Sequence, residues 1–304
     1  MTAAPIWQGG IILTKNSAAP DKAALTFRDV PASRDAAASA DRHWLATDSR
    51  TAYCCLSPLG VLVTRSSEPI FNVPAIVLTI IGIFVLVRAG EELLLSNEED
   101  IAFLYYFAFI PARYDRSLLP PGSFPGGVGA EIWTFVTYAF LHGDITHLAM
   151  NSVWFLPFGS AVARRFGSLR FTGFFVATAA AGALLHLVTH RGELMPMIGA
   201  SAAVSGFMAG AIRFAFQQGG PLTMFRDEEP AAYLVPAAPL PFALRDPRIL
   251  IFLLAWFGLN LLFGIGSIGP PGSEQTIAWQ AHIGGFVAGL LLFSLFDPVP
   301  AQPT

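Results

Sequence analysis

Long apolar segments constrain this chain more than any other feature. A helix needs about 17–25 mostly apolar residues to cross a hydrocarbon core of roughly 30 Å. Six stretches meet that need: 73–95, 146–163, 171–188, 198–216, 249–266 and 278–296. Between and around them charge is scarce. Charged residues make up 13% of the 304, about half the usual quarter of a soluble domain. A water-covered surface of this size needs more charge than that. Disorder is excluded for most of the chain, because disordered segments are poor in apolar residues. A net charge of −3 without a basic stripe speaks against nucleic-acid binding. The expected class is an all-α integral membrane protein with six transmembrane helices.

The chain divides into three expected parts: a polar N-terminal segment over 1–70, a membrane domain over 71–296 and a short tail over 297–304. The N-terminal apolar stretch is too short and interrupted for a signal peptide. "YCCLSPLGVLVT" (53–64) reads as a local hairpin, and the adjacent Cys54 and Cys55 read as free thiols. Two shorter apolar pieces, 101–110 and 132–141, flank the Pro/Gly-rich "LLPPGSFPGGVG". Neither is long enough to span, so a partly embedded first loop is expected. The 217–248 connector, charged and proline-containing, reads as an irregular aqueous loop.

Lys and Arg in short connectors set orientation. Six spans put both termini on one side. Arg164, Arg165, Arg170, Arg213, Arg226, Arg245 and Arg248 fall on that side, with the basic residues of the N-terminal segment. Only Arg88, Arg113, Arg116 and Arg191 fall opposite. Both termini are therefore expected to be cytoplasmic.

Polar residues within spans are costly and mark function by default. His147 and Asn151 in "THLAMNSVWF" are spaced i, i+4 and share one helix face. Ser201 in "GASAAVSGFMAG" follows Gly199 by two residues, and His282 opens "AWQAHIGGFVAG". The topology brings all four to one shallow level on the extracytoplasmic side. Ala202, Gly206 and Gly210 form a small-residue ridge, as do Ala281, Gly285 and Gly289. Such ridges let helices approach closely, which would bring Ser201 within reach of His282. Taken singly, a serine in such a span is packing material, and a membrane His or Asn is an interhelical hydrogen-bonding group. Together they fit acyl transfer. A serine hydroxyl needs a base to become a nucleophile, and imidazole titrates near working pH. Asn151, His147 and the Ser201 backbone N–H are candidate donors to an oxyanion. Spans holding no carboxylate near His282 suggest a Ser–His dyad.

"HLAMN", "GASAAVSG" and "AHIGGFVAG", in this order on separate spans, resemble the rhomboid intramembrane serine proteases. "FLHGDITH" and "FAFIPARY" are similar to bacterial members, and the likeness covers about residues 71–296. It implies a six-helix bundle with Ser201 as nucleophile and His282 as base. It further implies His147, Asn151 and the Ser201 amide at the oxyanion. The implied partners are the lipid bilayer and single-pass transmembrane substrates, without nucleic acid, cofactor or metal, and the implied location is a bacterial inner membrane. Two departures stand out. Ala202 replaces a frequent glycine, where its methyl would crowd the oxyanion pocket. Ser205 replaces an aromatic that stacks on the histidine in some members, so its hydroxyl is expected to orient His282 instead. These departures motivate the alternative of a pseudoprotease that binds transmembrane helices without cutting them.

Other polar residues read as structural. His142, by helical spacing from His147, faces the loop or interface. His186 and His190 snorkel, with metal ligation or a transporter role as a weaker reading, and Asn260 is interhelical glue. No H-E-x-x-H helix or pair of intramembrane aspartates supports another protease class.

Overall fold

The computed structural model describes residues 51–53, 64–66, 73–118, 120–223, 231–265 and 278–300. By its contacts the chain divides into Met1–Asn72 and Val73–Thr304. In the first unit, β1 (Thr51–Tyr53) pairs antiparallel with β2 (Thr64–Ser66). This pair brackets the expected hairpin, whose own residues 54–63, with Cys54 and Cys55, lie outside the described residues.

The second unit is helical. It runs through α1 (Ala75–Leu94), α2 (Asn97–Phe107), α3 (Gly127–Thr137), α4 (Ile145–Thr189), α5 (Ser201–Ile212), α6 (Leu240–Ala243), α7 (Pro247–Ile265) and α8 (Trp279–Phe296). Two of these, α4 and α8, are long and apolar enough to cross a membrane by length and composition. Continuous at first sight over its 45 residues, α4 breaks at Gly167, whose backbone is left-handed at φ 70°. An L side chain disfavours that conformation, and glycine does not. In a straight helix Phe155 and Phe175 would lie roughly 30 Å apart. Their rings instead meet at 6.1 Å, and Phe155 also meets Phe171 at 5.9 Å. The chain thus folds back at Gly167 into two arms, which cover the expected segments 146–163 and 171–188.

Two expectations need correction. The segment 198–216 is helical only over the 12 residues of α5. Before it, Phe109 and Met197 exchange backbone hydrogen bonds at 3.1 and 2.8 Å, and Gly199 N–H donates to the Tyr138 carbonyl at 2.9 Å. Non-helical backbone is tolerated at depth where protein groups satisfy it. The 217–248 connector is not wholly aqueous either. Its Val235, Ala238 and Ala243 are buried. Arg165 donates to the Tyr233 and Val235 carbonyls and forms a two-pronged, buried ion pair with Asp297, both contacts at 2.8 Å. Asp297, expected in the tail, is therefore tied into the helical unit.

The first loop holds two 11-residue helices, α2 and α3. Ser96 and Glu99 form a reciprocal capping box at the start of α2, which satisfies two orphan donors.

The core is a wedge of α4, α5 and α8 lined by phenylalanines, with Phe207 of α5 meeting Phe155, Phe171 and Phe174 of α4. Small residues set the α5–α8 spacing. A Cβ on Gly285 would fall on the Ala202 backbone, and one on Gly289 on the Gly206 backbone. The two ridges expected from sequence therefore face each other, except that Gly210 packs on Phe174 and Phe293 instead.

Candidate active site

Ser201 is the first residue of α5, and His282 stands in the first turn of α8. The close approach enforced by Gly285 and Gly289 has a direct consequence. Ser201 Oγ lies 2.7 Å from His282 Nε2. That is hydrogen-bond reach for a nucleophile and its base.

A wall of this site comes from the first arm of α4. Asp144 caps the helix by accepting from the His147 N–H at 2.9 Å, which fixes His147 in the first turn. Asn151, one turn on, is buried, and its Nδ2 donates to the His147 carbonyl at 3.2 Å. A Cβ on Gly199 would meet His147 Nε2 at 2.5 Å and Asn151 Nδ2 at 3.5 Å. Gly199 also sits at φ 107°, so space and backbone both call for glycine there. The segment leading into Ser201 thus runs against the His147 ring and the Asn151 amide.

Two expected perturbations of the site are not found. The Ala202 methyl lies beside Gly182 of α4, where an added Cβ would meet it at 2.5 Å. It fills a helix–helix seam rather than crowding a pocket. Ser205 donates to the Ser201 carbonyl, its own helix, at 2.8 Å. Its hydroxyl is therefore not what orients His282.

That contact comes from a residue read as glue. Asn260 of α7 places Oδ1 2.5 Å from His282 Nδ1 and donates from Nδ2 to the Trp256 carbonyl at 2.8 Å. Sequence reasoning missed the pairing because the loop between α7 and α8 leaves their register open. The available signal was a spacing: Trp256 and Asn260 lie four apart, as do His282 and Phe286.

His142 also differs from expectation. It is 1% exposed, with its ring 5.0 Å from Phe84 and 5.1 Å from His147. The helical spacing argument fails because α4 begins only at Ile145. His186 and His190 stack at 4.1 Å. Among the described residues, no three His, Cys, Asp or Glu side chains gather in a way that would hold a metal ion.

A family model for the rhomboid domain matches residues 129–297. The chain belongs to the rhomboid family. Rhomboid proteins are membrane-embedded, so this helical unit is an all-α membrane fold. The chain is 25% identical to RHOMBOID-like protein 4 of Arabidopsis thaliana over 77% of its length and 54% of that protein's. It is 25% identical to Rhomboid-related protein 2 of Mus musculus over 67% and 64% of the two chains. It is also 25% identical to Rhomboid protease GlpG of Salmonella choleraesuis (strain SC-B67), over 53% and 48%. The chain spans about half to two thirds of the length of these curated relatives. They include plant, animal and bacterial proteins, so they support the rhomboid family and not its bacterial branch in particular. The rhomboid match takes in Ser201, His282, His147, Asn151 and Asn260 alike.

Proposed function

We propose that this chain is an intramembrane serine endopeptidase that cleaves transmembrane segments of single-pass membrane proteins. The observation that carries the reading is the 2.7 Å contact between Ser201 Oγ and His282 Nε2 across two close-packed helices. In the proposed reaction His282 Nε2 takes the hydroxyl proton as Oγ attacks the scissile carbonyl. The tetrahedral oxyanion then needs preorganised donors. The Ser201 N–H supports that role, because the first four N–H groups of a helix lack intrahelical acceptors. Asn151 keeps a second amide N–H beyond the one given to His147, and the His147 ring adds a further donor beside Gly199. Collapse of the intermediate breaks the C–N bond, with His282 returning its proton to the leaving amine. Water then attacks the acyl-serine with the same base, releasing the second product.

The bundle is proposed to have six spans: α1, the two arms of α4, α5, α7 and α8. The embedded first loop contains α2 and α3. Arginines concentrated on one set of connectors support cytoplasmic termini, and a bacterial cell membrane is the location in keeping with the bacterial-type motifs. Residues 1–70 are proposed as a cytoplasmic segment and 71–296 as the membrane domain. A pseudoprotease that binds transmembrane helices without cutting them is the alternative; against it, the Ala202 methyl lies in the seam with Gly182 and the Ser205 hydroxyl bonds its own helix.

The test is reconstitution in liposomes with a single-pass substrate. Wild type is expected to cut it and Ser201→Ala is not. Undiminished cleavage by Ser201→Ala would overturn the assignment.

A further inference from the structure

The geometry points to Asn260 as a positioning residue that selects the tautomer of His282 and thereby makes its Nε2 the base. This inference rests on the protease reading of the site, since it assigns a role relative to that base.

Asn260 Nδ2 faces the Trp256 carbonyl at 2.8 Å. A carbonyl only accepts, so the NH₂ end must point there. Oδ1 is left facing His282 Nδ1 at 2.5 Å. Oδ1 also only accepts, so Nδ1 must carry the proton. A neutral imidazole with Nδ1–H keeps its lone pair on Nε2, the nitrogen that lies 2.7 Å from Ser201 Oγ. One carbonyl on α7 thus dictates, through two hydrogen bonds, which ring nitrogen accepts the serine proton.

The register that delivers Asn260 is set by aromatic packing one turn away. Trp256 stacks on Phe286 with centroids 4.5 Å apart, and Phe257 meets the same ring edge-on at 5.9 Å. The helices run antiparallel there: four residues on from Trp256 is Asn260, and four residues back from Phe286 is His282. Asn260 borders a crevice of about 390 Å³ whose walls are Leu254, Phe257, Gly258, Leu261, Trp279 and Ile283. None of these side chains offers a charged competitor for the imidazole. An amide suits this depth because it accepts from Nδ1–H without burying a carboxylate, whose cost in the bilayer is high. The titratable group that bears on His282 from α4 is His147. From α5 and α7 the facing groups are Ser201 and Asn260, both uncharged.

The test reads the ring directly by ¹⁵N NMR of histidine-labelled full-length protein, without relying on turnover. In wild type, His282 is expected to carry its proton on Nδ1. Asn260→Leu is expected to give a mixture of tautomers and to protonate at lower pH, because the amide oxygen holds the imidazolium more strongly than the neutral ring. Asn260→Asp keeps an acceptor in the same place. It is expected to hold the Nδ1–H tautomer and protonate at higher pH than wild type. In cleavage assays Asn260→Leu should lower kcat by at least about 10–100-fold, the cost of losing the partner that orients a metal-bound histidine, with KM unmoved. An Asn260→Leu ring that keeps the wild-type tautomer and titration, or an Asn260→Asp ring that titrates at or below wild type, would overturn the inference. Failure of the protease reading looks different: wild type itself would neither cut substrate nor react with a fluorophosphonate probe at Ser201.

Discussion

From Ala202 to Ile212, every residue of α5 is buried. Along α7, by contrast, Leu250, Ile251, Leu254, Phe257 and Leu261 are exposed, while Ile249 and Trp256 are buried. Both helices are apolar, and both send a residue into the same site. Their sequences differ in how they pack. Small residues in α5 allow its backbone to touch α8, and that contact sets the Ser201–His282 distance to within a hydrogen bond. Large aliphatic residues dominate α7, which meets α8 through the stack of Trp256 on Phe286. Lipid tails are as apolar as leucine, so burying such residues between helices carries little driving force. Rigid placement of the Ser201–His282 pair thus belongs to the α4–α5–α8 wedge, and α7 adds a contact to His282 at a single point, Asn260.

If the wedge holds the chemistry, the largest effect belongs to its reacting pair. His282→Ala is expected to reduce kcat by about 10⁴–10⁶-fold, the range for members of a catalytic unit that acts as a whole, measured on a reconstituted single-pass substrate. A loss no greater than that of Asn260→Leu would erase the distinction between the two regions. Next comes the wall of the wedge. Asn151→Ala is expected to cost about 10²–10³-fold in kcat, as for one oxyanion donor among several. Full activity would mean that Asn151 only bonds the His147 carbonyl and packs.

Gly285→Val sharpens the comparison from the packing side. Its Cβ would fall on the Ala202 backbone, so α5 and α8 must separate. Overpacking of this kind costs about 1–3 kcal/mol, read as a lower unfolding midpoint in detergent, and fluorophosphonate labelling of Ser201 should fall with it. Wild-type stability and labelling together would show that the ridge does not set the site.

The same contrast explains what could be read from the sequence. Close approach of α5 and α8 was legible because small residues repeat every four positions on both segments, and such repeats have one physical use. The capped start of α4 went unread, although Asp144 precedes "ITH" where an N-cap belongs. The Gly167 fold-back was covered by two separate apolar runs. Asn260 was not legible as a partner of His282. Apart from the matching spacings of Trp256–Asn260 and His282–Phe286, its neighbours are mostly large and aliphatic, so little in the pattern fixes how far α7 slides along α8. The short extent of α5 was hidden for a related reason. Residues 198–200 continue the apolar run, but Gly199 at φ 107° and the backbone bonds from Met197 to Phe109 and Gly199 to Tyr138 hold the start of the helix at Ser201. His142 was misread by extending a helix past its cap.

The smallest effect is expected on the exposed face of α7. Ile251 is 69% exposed, and truncating it to alanine removes apolar surface that lipid would otherwise cover. In both variants the face meets hydrocarbon, so no cavity forms and no polar group loses a partner. Ile251→Ala should therefore change the unfolding midpoint by no more than about 0.5 kcal/mol equivalent, as for surface positions away from special features. Labelling of Ser201 should be unchanged. The measurement pairs with Gly285→Val in the same detergent. A loss as large as that of Gly285→Val would mean that the exposed face of α7 is itself a packed contact, and the contrast between a rigid wedge and a lightly held α7 would fail. With Ile251→Ala silent and Gly285→Val disruptive, the difference between the helices would lie in what each touches, since both are equally apolar in character.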